Sequence, residues 1–340
     1  MSNLLYNTDI RPFTTFGISA RAACIAIYDS LDQLADILAD TSLPRPFKHI
    51  GEGSNLLFTT DFPGTILISH ISDYHVGVPD HANGLVDVVA SAGMSMDRLC
   101  RDMALRDIWG LENLSGIPGS VGASAVQNVG AYGIEAGDLI PHVDAIEIAT
   151  GERVTFPHEA LDYGYRHSVF KTDAMRDRFI ITHVHFRLST VAVPRLGYAN
   201  LQSLLSGAPS ATEVRNTVIA IRDSKLPNPA TTGSAGSFFK NPIITASHFD
   251  AIQALYPDAK VPHFIVDRDA VKVPAAWLID KAGCKAMTHG GASLWQSQPL
   301  VIVNTRGTAT AADVVALERS IIDAVNARFN ITLHPEVEHL

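Results

Sequence analysis

Residues 116 to 133 contain Gly116-Ile117-Pro118-Gly119-Ser120-Val121-Gly122-Ala123 and then Asn128-Val129-Gly130-Ala131-Tyr132-Gly133. This run is not a flexible linker, since apolar residues are interleaved throughout. It reads as backbone brought close to a ligand, with purely structural glycines as the alternative. Any fold for this chain has to place that segment where close approach is needed.

A shorter block, Gly51-Glu52-Gly53-Ser54-Asn55, follows the apolar run Phe47 to Ile50, which reads as a strand. Successive backbone N–H groups in such a turn can cradle a pyrophosphate, and an ordinary glycine turn is the alternative. The block is not a Rossmann fingerprint. Leu56 stands where that pattern needs its third glycine, and Leu56-Leu57-Phe58 reads as extended where a helix should open. Two phosphate-sized approaches well separated in sequence suggest one extended cofactor such as FAD.

Around these blocks the pattern is mixed α and β. Strands are expected at Ala22 to Tyr28, Thr65 to Ser69, Leu85 to Ser91, Val143 to Ala149 and Ile180 to Leu188. Helices are expected at Ser30 to Asp40, opened by Ser30 and Gln33, and at Met96 to Arg106 and Thr212 to Asp223. Lys225-Leu226-Pro227-Asn228-Pro229 is the best boundary, because paired prolines stop a helix and fix an extended path. Beyond it the pattern predicts helices at Ala246 to Leu255 and Pro274 to Ala282, and a strand at Leu300 to Asn304. A final helix is capped by Thr310 and Asp313, with Val314, Leu317, Ile321 and Val325 on one face, and a last strand is predicted at Ile331 to Leu333.

A chain of 340 residues exceeds what one core usually organises, so several domains are expected. The formal charge of −9 and the absence of a basic run disfavour nucleic acid and anionic membrane as partners. Cys24, Cys100 and Cys284 lack the spacing of a disulfide framework or a zinc site. Residues Met1 to Ile10 lack the charged and apolar regions of a signal peptide, and no apolar run is long enough to span a membrane, so a cytoplasmic location is expected. His183 and His185 would share one face of a strand, but no histidine pair has ligand spacing with a carboxylate, and no metal is predicted.

Three further stretches carry candidate chemistry. Tyr163-Gly164-Tyr165-Arg166-His167-Ser168 sets an arginine suited to bidentate carboxylate recognition among aromatics, or simply a surface charge. Gly233-Ser234-Ala235-Gly236-Ser237-Phe238-Phe239-Lys240-Asn241-Pro242 holds Ser237 between a glycine and two aromatics, where a serine is an acid or a plain turn residue. Glu336, between Pro335 and Val337, is either functional or a surface carboxylate.

Taken in order, Gly51-Glu52-Gly53-Ser54-Asn55, Ile117-Pro118-Gly119, Gln127 to Gly133, Tyr165-Arg166, Gly236 to Pro242 and Pro335-Glu336-Val337 resemble the UDP-N-acetylenolpyruvoylglucosamine reductases over nearly the whole chain. Each motif alone is weak, and six in sequence are strong. The resemblance implies an α+β protein with a two-part FAD-binding module of the vanillyl-alcohol oxidase type and a smaller α/β substrate-binding domain. The expected divisions are residues 1–72, joined by a C-terminal strand within 330–340, then 73–225, then 226–329.

It further implies non-covalent FAD held by Gly51, Gly53, Ser54, Asn55, Leu56, Ile117, Pro118, Gly119, Gly122, Asn128, Gly130 and Ala131. NADPH is the implied co-substrate. Tyr132, Tyr165, Tyr198, Lys225, Asn241 and Gln298 match substrate-binding positions, and Tyr198, in Leu196-Gly197-Tyr198-Ala199-Asn200-Leu201, matches the tyrosine loop of the family's first type. The implied partner is a small UDP-sugar bound by a monomer.

In the implied reaction hydride reaches C3 of the enolpyruvyl group, negative charge builds at C2 and on the carboxylate, and C2 takes a proton. Arg166 and Glu336 match the groups that stabilise that charge, and Ser237 matches the proton donor. His167 stands where relatives often carry Asp, and the few residues after Glu336 are expected to hold the final strand loosely. An FAD-dependent oxidase of the same fold and a non-catalytic flavin-binding protein are the alternatives, separated by whether NADPH bleaches the flavin anaerobically.

Overall fold

The structure is a computed structural model that describes residues 3–198 and 201–340. Ala199 and Asn200 of the expected tyrosine loop, and the first two residues of the chain, lie outside the described residues. The chain divides into two compact units. One comprises the N-terminal stretch to Asp9, Arg21–Glu52 and Asp61–Asp223; the other comprises Ile10–Ala20, Gly53–Thr60 and Ser224–Leu340.

In the first unit a four-stranded sheet is built on Arg21–Tyr28, whose residues from Cys24 to Tyr28 are all buried. Phe62–Ser69 pairs parallel to it, Phe47–Ile50 pairs parallel to Phe62–Ser69, and Asn3–Asp9 adds an antiparallel edge. A parallel connection needs a crossover, and helix Leu31–Ala39 precedes Phe47–Ile50. Ser30 caps that helix by accepting from the Gln33 N–H, and Gln33 Oε1 accepts from the Asp29 N–H. Its Leu34, Ile37 and Leu38 face the sheet, each contributing on the order of 1.5–3 kcal/mol by burial.

The second sheet of this unit is antiparallel throughout, ordered Arg153–Pro157, His142–Glu147, Phe179–Ser189, Leu85–Ser91, Tyr74–Val76. One face of Leu85–Ser91 buries Val86, Val88 and Ala90, while Asp87 on the other face pairs with Arg187. That alternation is what an antiparallel sheet with one wet face requires. Helices Met96–Ala104 and Val121–Gln127 cover the dry face.

The second unit contains a four-stranded antiparallel sheet, Gly233–Ser237, Gln298–Asn304, Ala292–Trp295 and Thr288–His289, and a three-stranded one of Ile243–Thr245, Ala270–Lys272 and Phe264–Ile265. Helix Ala311–Phe329 opens on the reciprocal capping box of Thr310 and Asp313 and buries Val314, Leu317, Ile321 and Val325. One expectation is corrected here. Ile331 to Leu333 is not a strand, since Ile331 and Leu333 are buried in the core without a ladder partner. The strand falls at Glu338–His339, parallel to Leu56–Leu57.

Those last residues are not loosely held. Glu338 N–H donates to Asn55 O at 3.0 Å, Leu340 N–H to Leu57 O at 2.9 Å, and Thr59 N–H to Leu340 O at 2.7 Å. His339 Nε2 lies 2.9 Å from Glu318 Oε2 on the long helix. Among the described residues no helix is long and apolar enough to cross a membrane.

Candidate active site

In the first unit Gly51 and Glu52 meet the longer glycine-rich block. Gly119 N–H donates to Glu52 Oε2 at 2.9 Å, and a Cβ on Gly51 would lie 2.3 Å from Ser120 Oγ. Ser120 is the N-cap of helix Val121–Gln127, accepting from Ala123 N–H. A Cβ on Gly122 would reach 2.7 Å from Ala92 Cβ, so this glycine serves close packing of the protein against itself.

The turn before the helix is clamped from three directions. Gly116 N–H donates to Asp97 Oδ1 at 2.6 Å, Arg222 Nε donates to Gly116 O at 3.1 Å, and Glu52 holds Gly119. Asp97 is in turn gripped by both Nη groups of Arg215, at 2.6 and 2.9 Å. Burial pushes the Asp97 carboxyl up, but these hydrogen bonds outweigh it and hold the group below its ordinary range. Burial lowers the half-buried Arg222 guanidinium from its ordinary value.

The cradle suits a phosphate-bearing cofactor. Among the described residues the N–H groups of Glu52 and Ile117 meet no protein acceptor, and the hydroxyl of Ser115, next to Gly116, is buried without a partner. Such groups are costly to leave unmade, and backbone donors of this kind bind anions. Gly51, Ile117, Pro118, Gly119 and Gly122 are thus brought together. Asn128, in the left-handed region at φ +44°, turns its amide inward: Nδ2 donates to Glu135 Oε2 and Gly164 O, and Oδ1 accepts from Gly137 N–H, all at 2.8 Å.

The same unit gathers an aromatic and cationic cluster. Arg166 Nη2 donates to Gly130 O at 2.8 Å, and its guanidinium lies over the Tyr165 ring at 5.3 Å. Tyr132 and Tyr198 meet edge to face at 6.1 Å. Burial raises both phenols, and the Arg166 charge opposes that rise at Tyr198. Gly130–Ala131 forms a short ladder with Ile134–Glu135 that supports the turn at Tyr132.

In the second unit Ser237 and Glu336 lie on neighbouring backbone segments. Strand Gly233–Ser237 has a register break between Ser234 and Ser237, with Gly236 at φ +73°, and such a bulge re-aims the residue that follows. Ser237 is accordingly exposed between buried Ala235 and Phe238. Glu336 N–H donates to Phe238 O at 2.8 Å, and Phe239 bridges Pro335. Asn55 Nδ2 donates to Glu336 O at 3.1 Å, fixing the segment that Gly53, Ser54 and Leu56 flank.

Of the remaining expected positions in this unit, Asn241 Oδ1 accepts from Ala275 N–H and so caps helix Ala275–Lys281. Lys225 ends helix Ala211–Lys225, its carbonyl accepting from Trp295 Nε1, and Gln298 opens the strand Gln298–Asn304. Sequence reasoning missed Glu52, Asp97, Arg215 and Arg222. Glu52 stood inside a motif already singled out, and the other three had no local signal, because Arg215 is 118 residues from its partner.

The glycine cradle and its fold define a class, the FAD-dependent oxidoreductases, and an FAD-binding domain profile matches residues 22–156, which hold both blocks. The profile of the UDP-N-acetylenolpyruvoylglucosamine reductase C-terminal domain matches residues 228–340. The reductase of that name from Bacteroides fragilis (strain YCH46) is 44% identical over 328 residues, 96% of this chain and 97% of the relative. The Porphyromonas gingivalis (strain ATCC BAA-308 / W83) reductase is 40% identical over 339 residues, 96% of each. The chain belongs to the UDP-N-acetylenolpyruvoylglucosamine reductase family. A crystal structure of the Thermus caldophilus reductase superposes with a TM-score of 0.67 at 22% identity, covering 100% of this chain and 98% of that one, and the α+β class stands.

Proposed function

We propose that this protein reduces the enolpyruvyl group of UDP-N-acetylenolpyruvoylglucosamine to give UDP-N-acetylmuramate, with electrons from NADPH, in peptidoglycan precursor synthesis. The observation that carries the reading is the juxtaposition of Ser237 and Glu336 on adjacent segments joined through Phe238 O, in a chain of this family. When bound, FAD would supply two-electron hydride transfer between NADPH and C3 of the enolpyruvyl ether. Gly51, Gly53, Ser54, Asn55, Leu56, Ile117, Pro118, Gly119, Gly130 and Ala131 would hold it, while Gly122 packs the turn against Ala92 and Asn128 shapes it.

As the C3–H bond forms, the electron pair of the C=C bond moves toward C2 and the carboxylate. Arg166 donates to that carboxylate, and one oriented donor at such a charge is worth about 3–4 kcal/mol of barrier. Glu336 assists as the protonated acid or paired with a cation, since a bare carboxylate would repel the growing charge. The Ser237 hydroxyl gives its proton to C2. Tyr132, Tyr165, Tyr198, Lys225, Asn241 and Gln298 bind the substrate, with Tyr198 on the tyrosine loop of the first type. The enzyme works as a cytoplasmic monomer in three domains, 1–72 with 330–340, 73–225 and 226–329.

Stopped-flow absorbance separates the half-reactions. Ser237→Ala keeps flavin bleaching by NADPH and slows reoxidation by the enolpyruvyl substrate by about 10²–10⁴-fold. Equal loss of both half-reactions removes Ser237 as proton donor.

A further inference from the structure

Arg166 adopts a left-handed backbone conformation, φ +54°, which costs a non-glycine residue about 1–2 kcal/mol. Such a conformation persists where the surroundings over-determine it, and it gathers at functional sites. The restraint here comes from residues with no role assigned above. Lys171 Nζ donates to the Arg166 carbonyl at 3.1 Å and to Gln127 Oε1 at 2.6 Å. Gln127 is the last residue of helix Val121–Gln127, so the ammonium ties the Arg166 turn to a rigid element.

The turn is closed on its other side as well. Gly164 and His167 exchange backbone hydrogen bonds at 3.2 and 3.0 Å, and the buried Asn128 amide holds Gly164 O. With both ends of the turn fixed, the guanidinium reaches Gly130 O. An ammonium with three donors suits the task of joining two acceptor oxygens.

We propose that Lys171 is a positioning residue for the reaction: by bridging Gln127 to the Arg166 carbonyl, it holds the left-handed turn that aims the Arg166 guanidinium. The inference rests on the reading of Arg166 as the carboxylate-binding group. Loss of the bridge frees the turn to relax to ordinary φ and moves the guanidinium, and a displacement of about 1 Å at a reacting group costs up to about 100-fold in rate.

A double-mutant cycle on the flavin-loaded enzyme tests this. Lys171→Met is expected to slow reoxidation at saturating enolpyruvyl substrate by about 10- to 100-fold, while NADPH-driven bleaching stays within about twofold. In the Arg166→Ala background the same change is expected to cost less than about twofold, because there is no guanidinium left to aim. Full loss in that background, or equal loss in both half-reactions, overturns the positioning role and makes Lys171 a general structural residue. Unchanged reoxidation in Arg166→Ala alone overturns the underlying reading of Arg166, a distinct result. If Lys171→Met does not fold, Gln127→Leu, which removes the anchor of the ammonium, is run through the same cycle with the same criteria.

Discussion

Gly53 combines a left-handed φ with close backbone neighbours, and Gly53→Ala measures how much the second unit depends on it. Its φ of +63° costs alanine about 1–2 kcal/mol. A Cβ there would lie 2.2 Å from Phe13 O and 2.8 Å from Thr14 Cα. Both are backbone atoms, so no flexible side chain can give way, and overpacking of this kind adds about 1–3 kcal/mol. The shift needed also strains the Thr15 N–H bond to Gly53 O at 3.2 Å. The sum is about 2–5 kcal/mol. Gly283 supplies the control: it has φ +79° in the same unit, and a Cβ added there would meet no atom within 4 Å, so Gly283→Ala carries the backbone cost alone, about 1–2 kcal/mol. Urea denaturation followed by tryptophan fluorescence compares the two, since all three tryptophans are available as probes. If Gly53→Ala loses no more stability than Gly283→Ala, the close approach to Phe13 is not a real constraint.

Two other outcomes follow from paired charges. Arg215→Ala strips Asp97 of its bidentate partner and is expected to cost about 2–4 kcal/mol in denaturation; it also loosens the Gly116 anchor, so apoprotein should bind FAD about tenfold more weakly by flavin fluorescence. Wild-type FAD affinity in that variant would show the anchor to be irrelevant. The hydrogen bond to Glu318 raises the His339 imidazole above its ordinary 6.5. The pair's stabilisation is therefore fully present below that value and is lost as pH rises through the raised one. Stability measured across that window should fall in the native protein and flatten in His339→Ala; parallel curves refute the assignment.

Much of the local structure was legible because its cause is local. Ser30 with Gln33 and Thr310 with Asp313 announce helix starts within four residues, and Leu85 to Ser91 alternates with the period of a half-buried strand. Asn3–Asp9 was not legible, because its polar, mostly half-exposed residues form a strand only by pairing with Arg21–Tyr28. Ile331 and Leu333 misled for the opposite reason: apolar spacing records burial, and here burial comes without a ladder. In the candidate site the glycines were visible, whereas the side chains that clamp them were not. Glu52 to Gly119, Asp97 to Gly116 and Lys171 to Gln127 are tertiary meetings with no period or motif to advertise them.

The stitching of Leu57 and Thr59 to Leu340 has a consequence for synthesis. Thr59 and Leu340 are 281 residues apart, so the segment Gly53–Thr60 leaves the ribosome long before the partners that pair with it. At about 5–20 residues per second that is a wait of roughly 15–60 s. The second unit is therefore a late folder by connectivity alone, and its early segments need shielding during translation in a way that the first unit's sheets do not.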